Sequence, residues 1–261
     1  MSCNFTVEIA GHLIQMAIDN GFENEIAGVY GLFFSKGNPL AHLDIHLNEQ
    51  ANLPFQKVEF SYNGNELSIS DGYSQGRFNL IDNTGELILS KGKFMFSLGT
   101  YLRNIITLMV VRENKGLVLH AAGIVRDNKA FVFIGPSGAG KSTVSRLSTG
   151  KIVLSDELVV LKKVNREYKA FPTPNWDDRQ SSVCQNKPYK LAGIYKLVKD
   201  KTVFVDKLPQ SIALADIFTL PYMPVEFIPK EQLAGTFEDL LKNVPYYALH
   251  FLPDASFWSC I

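Results

Sequence analysis

Gly135-Pro-Ser-Gly-Ala-Gly-Lys141-Ser142-Thr143 sets two glycines, a lysine and a hydroxyl at the spacing G-x-x-x-x-G-K-[ST]. In that pattern successive backbone N–H groups form an anion nest, the lysine reaches the β- and γ-phosphates of a nucleotide, and the hydroxyl ligates Mg²⁺. The expected nucleotide contacts are Gly135, Ser137, Gly138, Ala139, Gly140, Lys141, Ser142 and Thr143, and the expected cofactors are ATP, or GTP, with Mg²⁺. Upstream, Lys129 to Ile134 is a short apolar, aromatic and β-branched run that reads as a buried strand. Downstream, Ser142 to Thr149 holds no Gly or Pro and stops at Gly150, as a helix with a glycine after its last turn would. Strand, loop and helix in that order aim a helix N-terminus at the phosphates.

Two further features flank the loop. Gly116 to Val125 is strand-like and is separated from the next strand only by Arg126-Asp-Asn-Lys129, so the two must form a hairpin. With Asp127 and Asn128 as the turn, His120 falls opposite Gly135 at the mouth of the loop. A strand histidine is ordinarily a core residue, but this position makes His120 a candidate participant. Beyond the loop, Lys151 to Leu161 is two apolar strand-like runs interrupted by Asp156-Glu157. An acid at a strand end beside such a loop is where a Mg²⁺ ligand or a general base sits. Successive side chains on an extended strand face opposite ways, which allows only one of the pair to reach the site.

The order His120, loop, Asp156-Glu157 resembles the catalytic domain of HPr kinase/phosphorylase and a looser group of HPr-kinase-like proteins found near bacterial peptide-modification genes. The resemblance is strong over about residues 97 to 165. It continues more weakly through Phe171 to Pro174, Pro188 to Tyr195 and the C-terminal Val244 to Phe251 with Phe257-Trp258. It implies an α/β, phosphoenolpyruvate-carboxykinase-like P-loop domain with a mixed sheet. By the family's roles Asp156 accepts the proton of an attacking hydroxyl, Lys141 holds the phosphates and Ser142 ligates Mg²⁺. Where true HPr kinases carry a second carboxylate near an arginine, this chain reads Pro188-Tyr-Lys190-Leu-Ala-Gly193, in which only Lys190 offers a stand-in, for the arginine. The first 95 residues bear no likeness to the receptor-like domain of those kinases, which argues against HPr as acceptor.

The rest of the chain frames this site. Residues 1–96 read as a β-rich portion in a meander pattern, with alternation at Phe5, Val7, Ile9 and at Ala41, Leu43, Ile45, and turns at Asn63-Gly64, Ser70-Asp-Gly72 and Asn83-Thr-Gly85. Residues 97–261 read as the nucleotide-binding domain, opening with a helix capped by Ser97 and running to about Glu113. Lys230 to Asn243 reads as a packed amphipathic helix, and Trp176-Asp-Asp178-Arg179 as a loop able to cover the site. His42, Asp44 and His46 share one face of a strand, as polar residues alternating on a half-exposed strand do, and lack an evident fourth metal ligand. With 26 basic and 26 acidic residues no cationic excess exists to neutralise nucleic acid, so it is not an expected partner. No signal segment or run of membrane-spanning length is read, which places the protein in the cytoplasm without a membrane partner. Three scattered cysteines argue against disulfides and zinc. The expected reaction is phosphoryl transfer to a hydroxyl of a peptide, protein or small molecule, with a catalytically weak regulatory or scaffold protein as alternative. A carboxykinase-type metabolic enzyme lacks support, since no arginine cluster for its substrate is evident. Homo-oligomerisation is left open.

Overall fold

The computed structural model describes residues 2–19, 21–48, 58–113, 116–174, 184–217 and 230–261. They fall into two compact units, Met1–Met109 and Val110–Ile261.

In the first unit β1 (Ser2–Ile9) and β2 (His12–Asp19) form a hairpin over Ala10-Gly11, both at positive φ as a two-residue primed turn requires. Then come α1 (Glu23–Tyr30), β3 (Ala41–Asn48), β4 (Glu59–Tyr62), β5 (Glu66–Ser70), β6 (Gln75–Asn79) and β7 (Thr84–Ser90). They build one seven-stranded sheet in the order β1-β2-β3-β7-β6-β5-β4. β4 to β7 is the meander expected from the turn residues, but β3 runs parallel to both β2 and β7, so the sheet is mixed. A parallel neighbour needs a crossover, and α1 lies within the one between β2 and β3. It buries only Ile26 and Tyr30, an i,i+4 pair too sparse to announce a helix in the sequence.

α2 (Phe94–Arg112) starts three residues ahead of its expected cap. Ser97 lies fully buried inside the helix and donates to Asp71 Oδ2 at 2.6 Å. Asp71 also accepts from the backbone of Tyr73 and Ser74 at 2.9 and 2.8 Å, so a buried carboxylate organises the turn after β5. Together with the preceding 3-10 turn, Lys91–Arg112 makes 22 residues long and apolar enough to cross a membrane, which corrects the reading that no run approaches that length. Of its most apolar window, 83% is buried inside the protein, and Ser97, Thr100, Asn104 and Thr107 mask the run in the sequence.

Among the described residues the second unit is a mixed eight-stranded sheet with three α-helices and a C-terminal 3-10 turn, Ala255–Ser259. In chain order it contains β8 (Gly116–Arg126), β9 (Lys129–Ile134), α3 (Lys141–Leu147), β10 (Ile152–Ser155), β11 (Leu158–Val164), β12 (Glu167–Phe171), β13 (Tyr189–Lys199), β14 (Phe204–Lys207), α4 (Gln210–Ile217), α5 (Lys230–Asn243) and β15 (Tyr246–Phe251). β8 and β9 are the expected hairpin. Asp127 and Asn128 both take φ near 55°, and pairing runs from Arg126–Lys129 to Ala121–Ile134 in the register read from the sequence. β9, β13 and β15 are parallel, and β10 and β11 follow one another along β8. Pairing from β8 through β9, β13, β12 and β11 returns to β8, so five strands close a ring.

Two apolar clusters stabilise this unit by burial. Leu119 and Ala121 of β8 pack with Val132, Val159 and, from α5, Leu233, Phe237 and Leu240. Ala122 and Ile124, on the alternate positions, pack with Phe133, with Val144 of α3, and with Phe257 and Trp258. Trp258 donates to Ser148 Oγ at 3.0 Å just after α3, and the cations of Arg126 and Lys151 lie 5.1 and 4.7 Å from its ring. α3 ends at Leu147, two residues short of the expectation, where Ser148 donates back to Val144 O at 2.7 Å. None of Cys3, Cys184 and Cys260 forms a disulfide.

Candidate functional site

The loop between β9 and α3 is built on three glycines at positive φ: Gly135 at 155°, Gly138 at 77° and Gly140 at 116°. A Cβ on Gly135 would lie 2.7 Å from Ala139 Cβ, and one on Gly140 2.7 Å from Phe251 Cζ, so two of these positions are closed to side chains by packing as well as by backbone conformation. Ala139 N donates to Pro136 O at 3.0 Å, which tightens the turn, while Pro136, Ser137 and Gly138 remain exposed.

Lys141 opens α3 with only 7% of its surface exposed. Its ammonium donates to Gly135 O at 2.8 Å and Pro136 O at 3.3 Å, and no carboxylate among the described residues pairs with it. Burial holds its pKa below the ordinary lysine value. An ammonium taken out of water and met only by carbonyl dipoles is under-compensated, and an anion seated on the loop would complete its partners. The donor set therefore fits a polyphosphate. Ser142 is exposed on the next position and Thr143 is half-buried, its Oγ1 accepting from Arg146 at 3.4 Å.

His120 is exposed between buried neighbours on β8 and pairs with Leu158 on β11. One step past Ala121–Ile134, it stands level with Gly135. Partial desolvation of the ring by the strands around it, and secondarily the Lys141 charge, push its pKa below the ordinary imidazole value although part of the residue stays exposed, so the two side chains share one electrostatic neighbourhood.

Asp156 and Glu157 form a bend between β10 and β11 rather than an extended pair, so local alternation does not separate them. The ladder does. Ser155 pairs with Gly123 and Leu158 with His120 on one unbroken count, which sets Asp156 on the row of Ala122 and Glu157 on that of Ala121. The bond from Ala121 N to Glu157 O at 3.0 Å agrees. Ala122 belongs to the cluster that includes Val144 of α3, Ala121 to the opposite one. By that count Asp156 falls on the row of Ala122, the β8 residue on the side of α3. Ser155 Oγ accepts from Glu157 N and Leu158 N at 3.2 and 3.1 Å and fixes the bend. Ser142 and Asp156 are the oxygen donors this arrangement offers a Mg²⁺, an ion that commonly takes one or two protein ligands and fills its shell with phosphate oxygens and water.

Lys190 does not reach this site. It pairs in the ladder with Lys129 at the far end of β9, five strand residues or about 17 Å from the loop, and its ammonium is held by Glu167 at 2.5 Å. At the level of the loop β13 instead carries Lys196, paired with Ile134 and bound to Asp216 at 2.7 Å, while Tyr246 donates to the same carboxylate at 3.0 Å. Neither Lys196 nor Phe251, which fills the space over Gly140, was singled out from the sequence. Their placement follows from parallel strand pairings, Lys196 with Ile134 and Phe251 with Lys199, that join distant parts of the chain. The Trp176-Asp-Asp178-Arg179 loop lies outside the described residues.

A family model described as SynChlorMet cassette protein ScmC matches residues 91–218, a span that takes in His120, the glycine loop and Asp156-Glu157. No curated protein sequence matches the chain.

Proposed function

We propose that the second unit binds Mg²⁺-ATP and transfers its γ-phosphoryl group to a hydroxyl of a peptide, protein or small molecule, in an HPr-kinase-like reaction on a carboxykinase-like P-loop fold in the cytoplasm. The observation that carries this reading is the buried Lys141 ammonium, met only by the carbonyls of Gly135 and Pro136 in a loop whose Ser137 and Gly138 are exposed. The bound nucleotide supplies an electrophilic phosphorus and a leaving ADP. Lys141 and the loop amides hold the phosphate oxygens, and Ser142 and Asp156 are the residues for the metal. Asp156 takes the proton of the hydroxyl as its oxygen bonds to phosphorus and the bond to ADP breaks. His120, whose pKa desolvation and then the Lys141 charge hold below the ordinary imidazole value in the free protein, is placed to be a hydrogen-bonding neighbour of the phosphates.

A second reading, a nucleotide-binding regulator with weak turnover, is favoured by the remoteness of Lys190, since the segment that supplies a second carboxylate in true kinases contributes nothing beside this loop. Incubation of the intact protein with Mg²⁺-ATP and a panel of Ser- and Thr-containing peptides tests the two. Phosphopeptide formation that disappears in Asp156→Asn supports transfer. Nucleotide binding without turnover on any acceptor supports the regulator, and absence of binding overturns both.

A further inference from the structure

The first unit carries a cavity of about 510 Å³ over β4 to β7, a size suited to a small ligand, lined by Phe60, Ile69 and Ile88 as well as by polar side chains. The buried Leu67, Phe78 and Leu87 take the alternate positions of the same strands and belong to the opposite face. Among the cavity's lining residues are Glu59, Ser68, Ser70, Gln75, Arg77 and Glu86. Their order follows from the register. One row runs Glu86, Arg77, Ser68, Ser61 from β7 to β4, and the next runs Ile88, Gln75, Ser70, Glu59.

Arg77 and Glu86 are direct cross-strand partners, opposite in charge, in a position where such residues ordinarily pair. Among the described residues neither makes an ion pair or a side-chain hydrogen bond, and Asp44, opposite Glu86 on β3, does not neutralise it. A guanidinium beside a carboxylate, each free to take a separate counter-charge, is the pattern that holds the carboxylate and the ammonium of one α-amino acid. Ser68, Ser70 and Gln75 then continue away from that head as hydroxyl and amide groups. Glu59 lies two strands beyond Arg77, about 10 Å across the sheet, and offers a second anionic end. Two carboxylates against one guanidinium leave the lining one charge negative, which complements a ligand with one net positive charge.

We infer that this cavity binds a free basic amino acid, its carboxylate on Arg77, its α-ammonium on Glu86 and its side-chain cation toward Glu59. This site belongs to the first unit and owes nothing to the nucleotide reading.

Calorimetric titration of the intact protein, without nucleotide, tests it with L-lysine and L-arginine as ligands. Three analogues each delete one anchor: cadaverine lacks the carboxylate, Nα-acetyl-L-lysine the α-ammonium and L-norleucine the distal charge. L-lysine or L-arginine should bind, and each analogue should bind at least tenfold more weakly. In Arg77→Gln, L-lysine should lose its advantage over cadaverine. No heat with either amino acid at millimolar concentration overturns the inference, and so does cadaverine binding as tightly as L-lysine to the wild type, since Arg77 would then hold no carboxylate. The analogue series uses only wild-type protein, so it decides even if a variant fails to fold.

Discussion

Replacement of Lys141 by methionine should separate a phosphate-binding lysine from a structural one, because the two roles predict opposite effects on the free and the loaded protein. In the free protein the ammonium makes two charge-assisted bonds, each worth about 1.5 to 3 kcal/mol. Against them stands the desolvation of a cation that is 7% exposed, an effective penalty of several kcal/mol. The two nearly cancel, and methionine fills the same volume without the penalty, so the melting temperature without nucleotide should stay within a few degrees of wild type or rise. With Mg²⁺-ATP at a hundred times Kd the wild type should gain about 2.7 kcal/mol. For a unit of this size that is roughly 5 to 11 °C in Tm. Loss of one charge about 4 Å from a phosphate removes about 4 kcal/mol at an effective dielectric of 20, or about a thousandfold in affinity. At the same nucleotide concentration the ratio to Kd falls to about 0.1, and the remaining stabilisation is below about 0.1 kcal/mol. Differential scanning fluorimetry with and without nucleotide reads both numbers from one sample. A Lys141→Met protein that melts far below wild type yet keeps its nucleotide shift would show that the ammonium serves the loop's own structure, and the site assignment would fail.

Asp156→Asn should lower turnover by about 10²- to 10⁴-fold while leaving the nucleotide-induced thermal shift intact. Glu157→Gln should be mild, and the reverse ranking in a single-turnover assay would show that the ladder count through the bend misplaces the pair. For His120 the folded pKa lies below the unfolded value of about 6.5, so its share of stability is complete above that pH and is lost as pH falls and the unfolded chain takes up the proton first. His120→Ala should flatten that acid slope in denaturant titrations. Phosphate bound beside Lys141 should raise the His120 pKa in an NMR titration, and an unmoved pKa would place the nucleotide elsewhere. Gly140→Ala, at φ 116° and with Phe251 in the way, should cost about 1 to 3 kcal/mol and weaken nucleotide binding further. A stability unchanged from wild type would contradict that packing.

What the sequence made legible is local. The Asp127-Asn128 turn fixes the register of β8 on β9 because a two-residue turn leaves one alignment, and the alignment carries His120 to the loop. α5 could be delimited at Lys230 and Asn243 because Leu233, Phe237 and Leu240 recur on one face, and those three residues are buried. α1 escaped notice because two buried residues make no period. Ser97 read as a cap because a hydroxyl ahead of an apolar run usually is one, whereas here a buried carboxylate 26 residues earlier accepts its hydrogen bond. Sequence likewise suggests Lys190 as a site residue by its neighbours in the chain. Only the parallel pairing of β13 with β9 reveals that Lys196, six residues on, is the lysine level with the loop.

The same distinction decides between Asp156 and Glu157. The expectation that one faces the site rested on extended backbone at the pair, and that backbone bends. The proposal of Asp156 rests instead on the flanking pairings: Ser155 and Leu158 hold their registers on β8 on either side, so the bend cannot change which row each acid occupies without breaking a pairing or the bond from Ala121 to Glu157. Ser155 closes the bend from inside with its own hydroxyl, at 1% exposure, and so keeps the backbone from relaxing toward either strand. Ser155→Ala should therefore act on Asp156 without touching it. Two backbone donors would lose their acceptor, at about 1 to 3 kcal/mol for a buried group. Turnover should fall while the thermal shift with nucleotide, which depends on Lys141, persists. Rescue of turnover by Ser155→Thr, which retains the hydroxyl, would distinguish a positioning role from a packing one. A Ser155→Ala protein that turns over as wild type would mean that the bend holds Asp156 by the ladder alone.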